Sequence, residues 1–282
     1  MSLIQSKNNI VDISIVVFSC DAYQDLWEGF FDSFELNWPE CKFDMYLVNN
    51  NLNYSRKGVN VINGGDSDWS TRARIAMNSI NSNYFILFLE DFYLPEKIDC
   101  KKINQVAEYV FKKEINYYQL NITDKEDYYK WKLFDYDFIW DIPKDRDYWV
   151  DISIAIWQKD FFLELLGEEN YSAWEFEFNR NIDAKNPDKY LNKLCLLDSR
   201  NLIPMCPMVV QGKYYPKSIK VMRNLGFEFN SNNRPIMTHL EVFKQELKGF
   251  VYKLRFGKKF FKRVGRFFGF KFVSDNYPNF TN

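Results

Sequence analysis

Four short runs rich in β-branched and aromatic residues, DISIVVFS (12–19), FDMYLVN (43–49), GVNVIN (58–63) and YFILFLE (84–90), each end in polar residues. Apolar runs without alternation are strands buried on both faces, as in a parallel sheet covered by helices on each side. Between the first two, DLWEGFFDSFELNW spaces Leu26, Phe30 and Phe34 at about one helical turn. After the turn GGDSD, STRARIAMNSI (70–80) predicts a second helix with Ser70 or Asp68 as its N-cap. The order strand, helix, strand, strand, helix, strand predicts an α/β sandwich with a mostly parallel sheet whose strands emerge at one edge, where such sheets bind ligands.

The 282 residues, 46% hydrophobic and 19% aromatic, supply enough apolar surface for one large domain or two small ones. A formal charge of -1 gives no global attraction to nucleic acid, so no nucleic-acid partner is expected. The five cysteines (Cys20, Cys41, Cys100, Cys195, Cys206) are widely spaced and form no CxxC pair, which points to reduced thiols and a cytoplasmic chain. MSLIQSKNNI has no basic stretch followed by an apolar core, and no run of about 18 uncharged apolar residues occurs.

Residues 128–157 are dense in aromatics and aspartates, and read as an irregular loop ending in a strand. Such a loop suits a sugar, whose C–H faces stack on rings and whose hydroxyls donate to carboxylates; a large aromatic core is the alternative. Residues 239–282 differ. Between 241 and 272 ten basic residues face only Glu241 and Glu246, and Phe243, Leu247, Phe250, Leu254, Phe261, Val264 and Phe268 form an apolar stripe at helical spacing. A basic amphipathic helix of this kind lies on an anionic membrane surface, or else packs on the preceding domain with its basic face in water.

Glu90 and Asp91 end the fourth strand side by side, where two carboxylates can hold a divalent cation, act as acid and base, or cap a helix. From about residue 13 to residue 234 the chain resembles a GT-A type glycosyltransferase of bacterial surface-polysaccharide synthesis. The likeness is carried by SCDAY after the first strand, Asn49 and Asn50 after the second, GGDSDWSTRARIAMN, and LEDF in place of an Asp-x-Asp motif. It implies a GT-A domain over 1–238 with a basic helical extension over 239–282. The implied reaction transfers a sugar, with inversion, from a nucleotide-diphosphate donor such as a UDP-sugar to a lipid-linked glycan, by a cytoplasmic protein peripheral on the inner face of the cell membrane.

By the same resemblance Asp21 and Asn49 lie near uracil and ribose, Asp66 and Arg72 line the nucleotide pocket, and Glu90 and Asp91 face the diphosphate and donor sugar. Phe92 stands where the family's last aspartate does, so a Mn²⁺ or Mg²⁺ ion would draw on Asp91 and on His239, the one histidine. In SAWEFEFNR (172–180), Glu175 takes the position of the general base, and Glu177 reads more readily than Glu175 as a first-turn acid favoured by the helix dipole. Lys213, after Gln211 and Gly212, would offset diphosphate charge. Two other classes of function remain open: a non-catalytic nucleotide- or sugar-binding module, and a peripheral membrane scaffold.

Overall fold

The computed structural model describes residues 12–122 and 128–253, with side chains described to residue 247. Strands β1 (Ile13–Phe18), β2 (Asp44–Asn49), β3 (Val59–Asn63) and β4 (Tyr84–Leu89) alternate with helices α1 (Gln24–Asn37) and α2 (Trp69–Ser79). There follow β5 (Phe92–Tyr93), α3 (Cys100–Lys112), β6 (Tyr117–Gln119), β7 (Lys132–Phe134), β8 (Tyr136–Asp141), β9 (Ala155–Gln158), α4 (Lys159–Leu166), α5 (Ala173–Asp183) and β10 (Cys195–Asp198). The described residues end in β11 (Cys206–Pro207), β12 (Val209–Val210), β13 (Lys213–Tyr214), α6 (Pro216–Arg223) and α7 (His239–Lys253).

The central sheet has nine strands in the order β3-β2-β1-β4-β9-β6-β10-β8-β7. Only β9 and β8 run against the other seven, so this is the mostly parallel, Rossmann-like α/β sandwich that the four strand runs predict. β1 and β4 are buried on both faces because helices cover both. On one side Phe88 meets Phe30 and Phe34 of α1. On the other, Phe18, Phe85 and Trp157 pack with Trp69, Phe162 and Phe176 of α2, α4 and α5. Of the irregular loop and terminal strand expected in 128–157, the strand is β9, whereas the start of the segment is the β7–β8 hairpin, which extends the sheet through β8–β10 pairing, and the irregular stretch follows it at 142–154.

Two compact units emerge. Of the described residues, one holds those up to 208 and 221–228, the other 209–220 and 229–253. In the second, β12 and β13 form a hairpin whose turn, Gln211 and Gly212, has positive φ at both residues. Thr238 and Glu241 form a reciprocal cap at the start of α7. Among the described residues no helix is long and apolar enough to cross a membrane. Of the predicted apolar stripe, Phe243 and Leu247 are described and exposed (61% and 39%), and Leu240 beside them is 62% exposed. The side chain of Phe250 and residues 254–272 lie outside the described residues.

Candidate active site

β1, β2, β3 and β4 end at one edge of the sheet, and the loops that leave them are tied together there. Ser19 N donates to Val48 O at 2.8 Å. Asp21 Oδ1 accepts from the backbone N–H groups of Asn50 (3.1 Å), Asn51 (3.2 Å) and Leu52 (3.3 Å), and Asn50 Oδ1 accepts in return from Asp21 N at 3.1 Å. Asp21 thus shapes the loop after β2. Asn49 is fully buried; its Nδ2 donates to Leu52 O at 2.7 Å and its Oδ1 has no protein partner. Asp66 Oδ1 accepts from Asn51 Nδ2 at 2.5 Å, and Asn50 Nδ2 donates to Gly65 O at 3.1 Å, joining the loops after β2 and β3.

Arg72, in the first turns of α2, is buried. Its guanidinium donates to the carbonyls of Ser67 and, at 3.4 Å, Ser19, while Nε has no partner. Gly64 makes room for it: a Cβ there would lie 2.6 Å from Arg72 Cγ and 3.0 Å from its Cα. Because backbone cannot swing aside as a side-chain tip can, Gly64→Ala is expected to cost about 1–3 kcal/mol through overpacking. A thermal melt checks this; an unchanged midpoint would show that the helix start is not held against this turn.

Glu90 and Asp91 are the two-residue turn between β4 and β5. The apolar residues after them return to the core. Tyr93 donates from Oη to Leu26 O at 2.8 Å over Gly29, where any Cβ would clash with that hydroxyl, and Leu94 is fully buried. Glu90 is itself buried. Burial, and after it the charge of Glu90, raises the Cys20 thiol above its ordinary value, while the Arg72 cation acts in the opposite sense. Both charges therefore act on one spot just past β1.

α5 is brought to the same edge. Ser70, at the start of α2, donates from N to Tyr171 O (3.0 Å) and from Oγ to Glu169 O (2.8 Å), and Trp69 packs on Phe176 with ring centres 5.3 Å apart. The two glutamates of α5 then separate in role. Glu175 Oε2 accepts from Ser172 N and Oγ, both at 2.8 Å, while Ser172 Oγ accepts from Glu175 N at 3.3 Å. This capping box, worth about 1 kcal/mol, makes Glu175, expected as the base, part of its own helix start. Glu177 does not have that role. Burial, followed by the neighbouring charge of Asp151, pushes its carboxyl well above the usual range, to about 8. The first-turn acid is thus Glu175 rather than Glu177, because the cap hydrogen bond selects the third residue of the helix.

Asp151 carries no motif and was not among the expected site residues. Its Oδ1 accepts from Ser153 N (2.9 Å) and Tyr117 Oη (3.2 Å), and Ile152 N donates to Glu177 Oε1 at 3.4 Å. β9 runs antiparallel to β4 with Ala155 opposite Leu87, so residues 151–153, just before β9, lie at the edge where β4 ends. The available signal was a polar residue at the end of an apolar strand, the same one that marks Glu90 and Asp91.

Lys213 and His239 belong to the second unit. Lys213 Nζ lies 2.5 Å from Glu241, and that contact holds the Glu241 carboxyl down at about 2. His239 is exposed in the first turn of α7. Among the described residues no three His, Cys, Asp or Glu side chains gather as a metal-ligand set.

No protein-family model and no curated protein sequence matches the chain. Among solved structures it is similar to a cytidylyltransferase from Leptospira borgpetersenii serovar Hardjo-bovis (13% identity, 63% of this chain and 73% of that one, TM-score 0.39). It is also similar to S. aureus TarS (10% identity, 87% of this chain and 46% of that one, TM-score 0.44), and to TarS in complex with UDP-GlcNAc (10% identity, 52% and 45%, TM-score 0.35). The chain spans about half the length of these TarS chains. Likeness at this level follows only the general chain path, and the assignment to the Rossmann-like class rests on the sheet order and strand directions given above.

Proposed function

We propose that the protein is an inverting glycosyltransferase that moves a sugar from a nucleotide-diphosphate donor, such as a UDP-sugar, to a hydroxyl of a lipid-linked glycan of a bacterial surface polysaccharide. The observation that carries this reading is the half-buried carboxylate of Glu177 that accepts from Ile152 N beside Asp151, at the sheet edge where Arg72, Glu90 and Asp91 also stand. A sugar hydroxyl is a weak acid, so its attack at the anomeric carbon needs a positioned base. In the proposed step the acceptor oxygen bonds to that carbon, its proton passes to Glu177, and the bond from the anomeric carbon to the diphosphate oxygen breaks. The nucleoside diphosphate leaves from the opposite face, so configuration inverts.

Asn49, Asp66 and the loop shaped by Asp21 would receive the nucleoside. Arg72 would meet the diphosphate charge, and Glu90 and Asp91 the donor sugar. A divalent cation would supply charge neutralisation to the diphosphate, held by Asp91 with phosphate oxygens and water as its other ligands. Titration calorimetry with uridine diphosphate, with and without Mn²⁺, followed by transfer assays, tests the reading. No affinity for the nucleotide would overturn it, and affinity without turnover would leave a binding module.

The lipid-linked acceptor draws support from the second unit. Both acids of α7 are engaged inside that unit, Glu241 with Lys213 and Glu246 with Lys217 at 2.5 Å. Leu240, Phe243 and Leu247 then form an exposed stripe followed in sequence by basic residues with no further acid to 272. This suits peripheral binding to an anionic leaflet on the cytoplasmic side. The full chain is expected to co-sediment with vesicles of one part phosphatidylglycerol to three of phosphatidylcholine, and to be released by 1 M salt at a Debye length of about 3 Å. Phe243→Glu is expected to weaken partitioning about tenfold; equal binding to neutral vesicles would argue against the proposal.

A further inference from the structure

We propose that Asn121, at the end of β6, forms with Asp151 and Glu177 a polar subsite that holds the attacking hydroxyl of the acceptor sugar. This rests on the transfer reading above and adds to it a residue that binds the acceptor rather than the donor.

Asn121 is 1% exposed, yet neither its amide oxygen nor its amide nitrogen has a protein partner. Leaving a buried polar group unpaired costs about 1–3 kcal/mol. Folded proteins keep such groups where water or a ligand completes them. The backbone here is held firmly. Gln119 Nε2 donates to Asn121 O at 3.0 Å, and Leu120 N donates to Ile154 O at 2.9 Å.

The sheet register locates the residue. β6 pairs antiparallel with β9, Gln119 opposite Ala155, so Asn121 follows β6 at the edge where residues 151–153 precede β9. Those residues carry the Asp151 carboxylate and donate the Ile152 N–H to Glu177. β6 also binds Asp151 directly through Tyr117 Oη.

The chemistry fits a hydroxyl. Its oxygen must be held by a donor while its proton is directed to a base, and it carries no charge to require a cation. An amide supplies the donor without shifting the titration of the nearby carboxylates, as an ammonium or guanidinium would. Asn121 Nδ2 would hold the acceptor oxygen and leave its proton to Glu177.

The test uses the full chain, with uridine diphosphate and a panel of octyl β-glycosides of glucose, galactose and N-acetylglucosamine below their micelle concentrations. Saturation-transfer NMR reads the glycosides and calorimetry reads the nucleotide. Asn121→Ala is expected to weaken the bound glycoside about 5- to 10-fold and to leave nucleotide affinity within about twofold. Asn121→Leu nearly keeps the shape and removes the donor without adding a titrating group, so it gives the same loss even if the alanine variant fails to fold. Glycoside binding unchanged in either folded variant, or absent from a wild type that binds the nucleotide, would overturn the subsite. A wild type that binds no nucleotide defeats the transfer reading instead.

Discussion

Replacing Glu177 by glutamine is expected to lower the rate of sugar transfer by about 10²- to 10⁴-fold, the contribution of a positioned general base. Affinity for uridine diphosphate should stay within about twofold, since the proposed base would act on the acceptor. The companion variant Glu175→Gln separates base from cap. Its amide oxygen can still accept from Ser172, so the capping box persists and the variant should lose only roughly a few tenths of a kcal/mol of stability and little of its rate. Transfer rates that fall in the Glu175 variant and hold in the Glu177 variant would return the base role to Glu175.

The pH dependence has a definite sign. The folded Glu177 pKa, about 8, lies above the ordinary carboxylate value of 4.5, so the folded state binds a proton that the unfolded state has released. This contribution to stability is complete below the unfolded pKa and is lost as pH rises through about 8. Wild type should therefore lose stability relative to Glu177→Gln between about pH 5 and 8, a difference that melts of the two proteins will read. The transfer rate should rise over the upper part of that window, as the carboxylate becomes free to accept a proton. A rate flat across it would count against Glu177 as base.

Arg72→Met is expected to weaken uridine diphosphate binding by about 100-fold, roughly 2.7 kcal/mol. Arg72 is a buried cation whose guanidinium donates to the neutral carbonyls of Ser67 and Ser19. A charged group held that way interacts strongly with an anion brought beside it, because water screens little at a buried site. Arg72→Lys retains the charge but not the planar fork that reaches both carbonyls, so a loss of about tenfold is expected. Calorimetry decides between them. Nucleotide affinity within threefold of wild type in both variants would remove the diphosphate from this edge.

The first half of the fold was legible because each of its elements announces itself locally. Ile13–Phe18 and Tyr84–Leu89 are apolar on both faces, and the spacing of Leu26, Phe30 and Phe34 is that of a helix covering one of those faces. The β7–β8 hairpin was not legible. Apart from the buried Ile139 its residues are half or fully exposed at the sheet's end, where neither an unbroken apolar run nor a clean alternation is required. The site divides the same way. Asp21, Glu90 and Arg72 lie next to strand ends visible in the sequence, whereas Asp151 and Asn121 matter only through β9 and β6 pairing across the sheet.

From the residues alone came the α/β class, the edge at which polar residues follow buried strands, and a terminal stretch of basic and apolar residues; all of these depend on neighbours within a few positions. Tertiary structure decided which glutamate caps α5 and which lies beside Asp151. That choice depends on burial and on a charge brought in from a distant strand, and Coulomb energy and desolvation follow distance in space rather than distance along the chain.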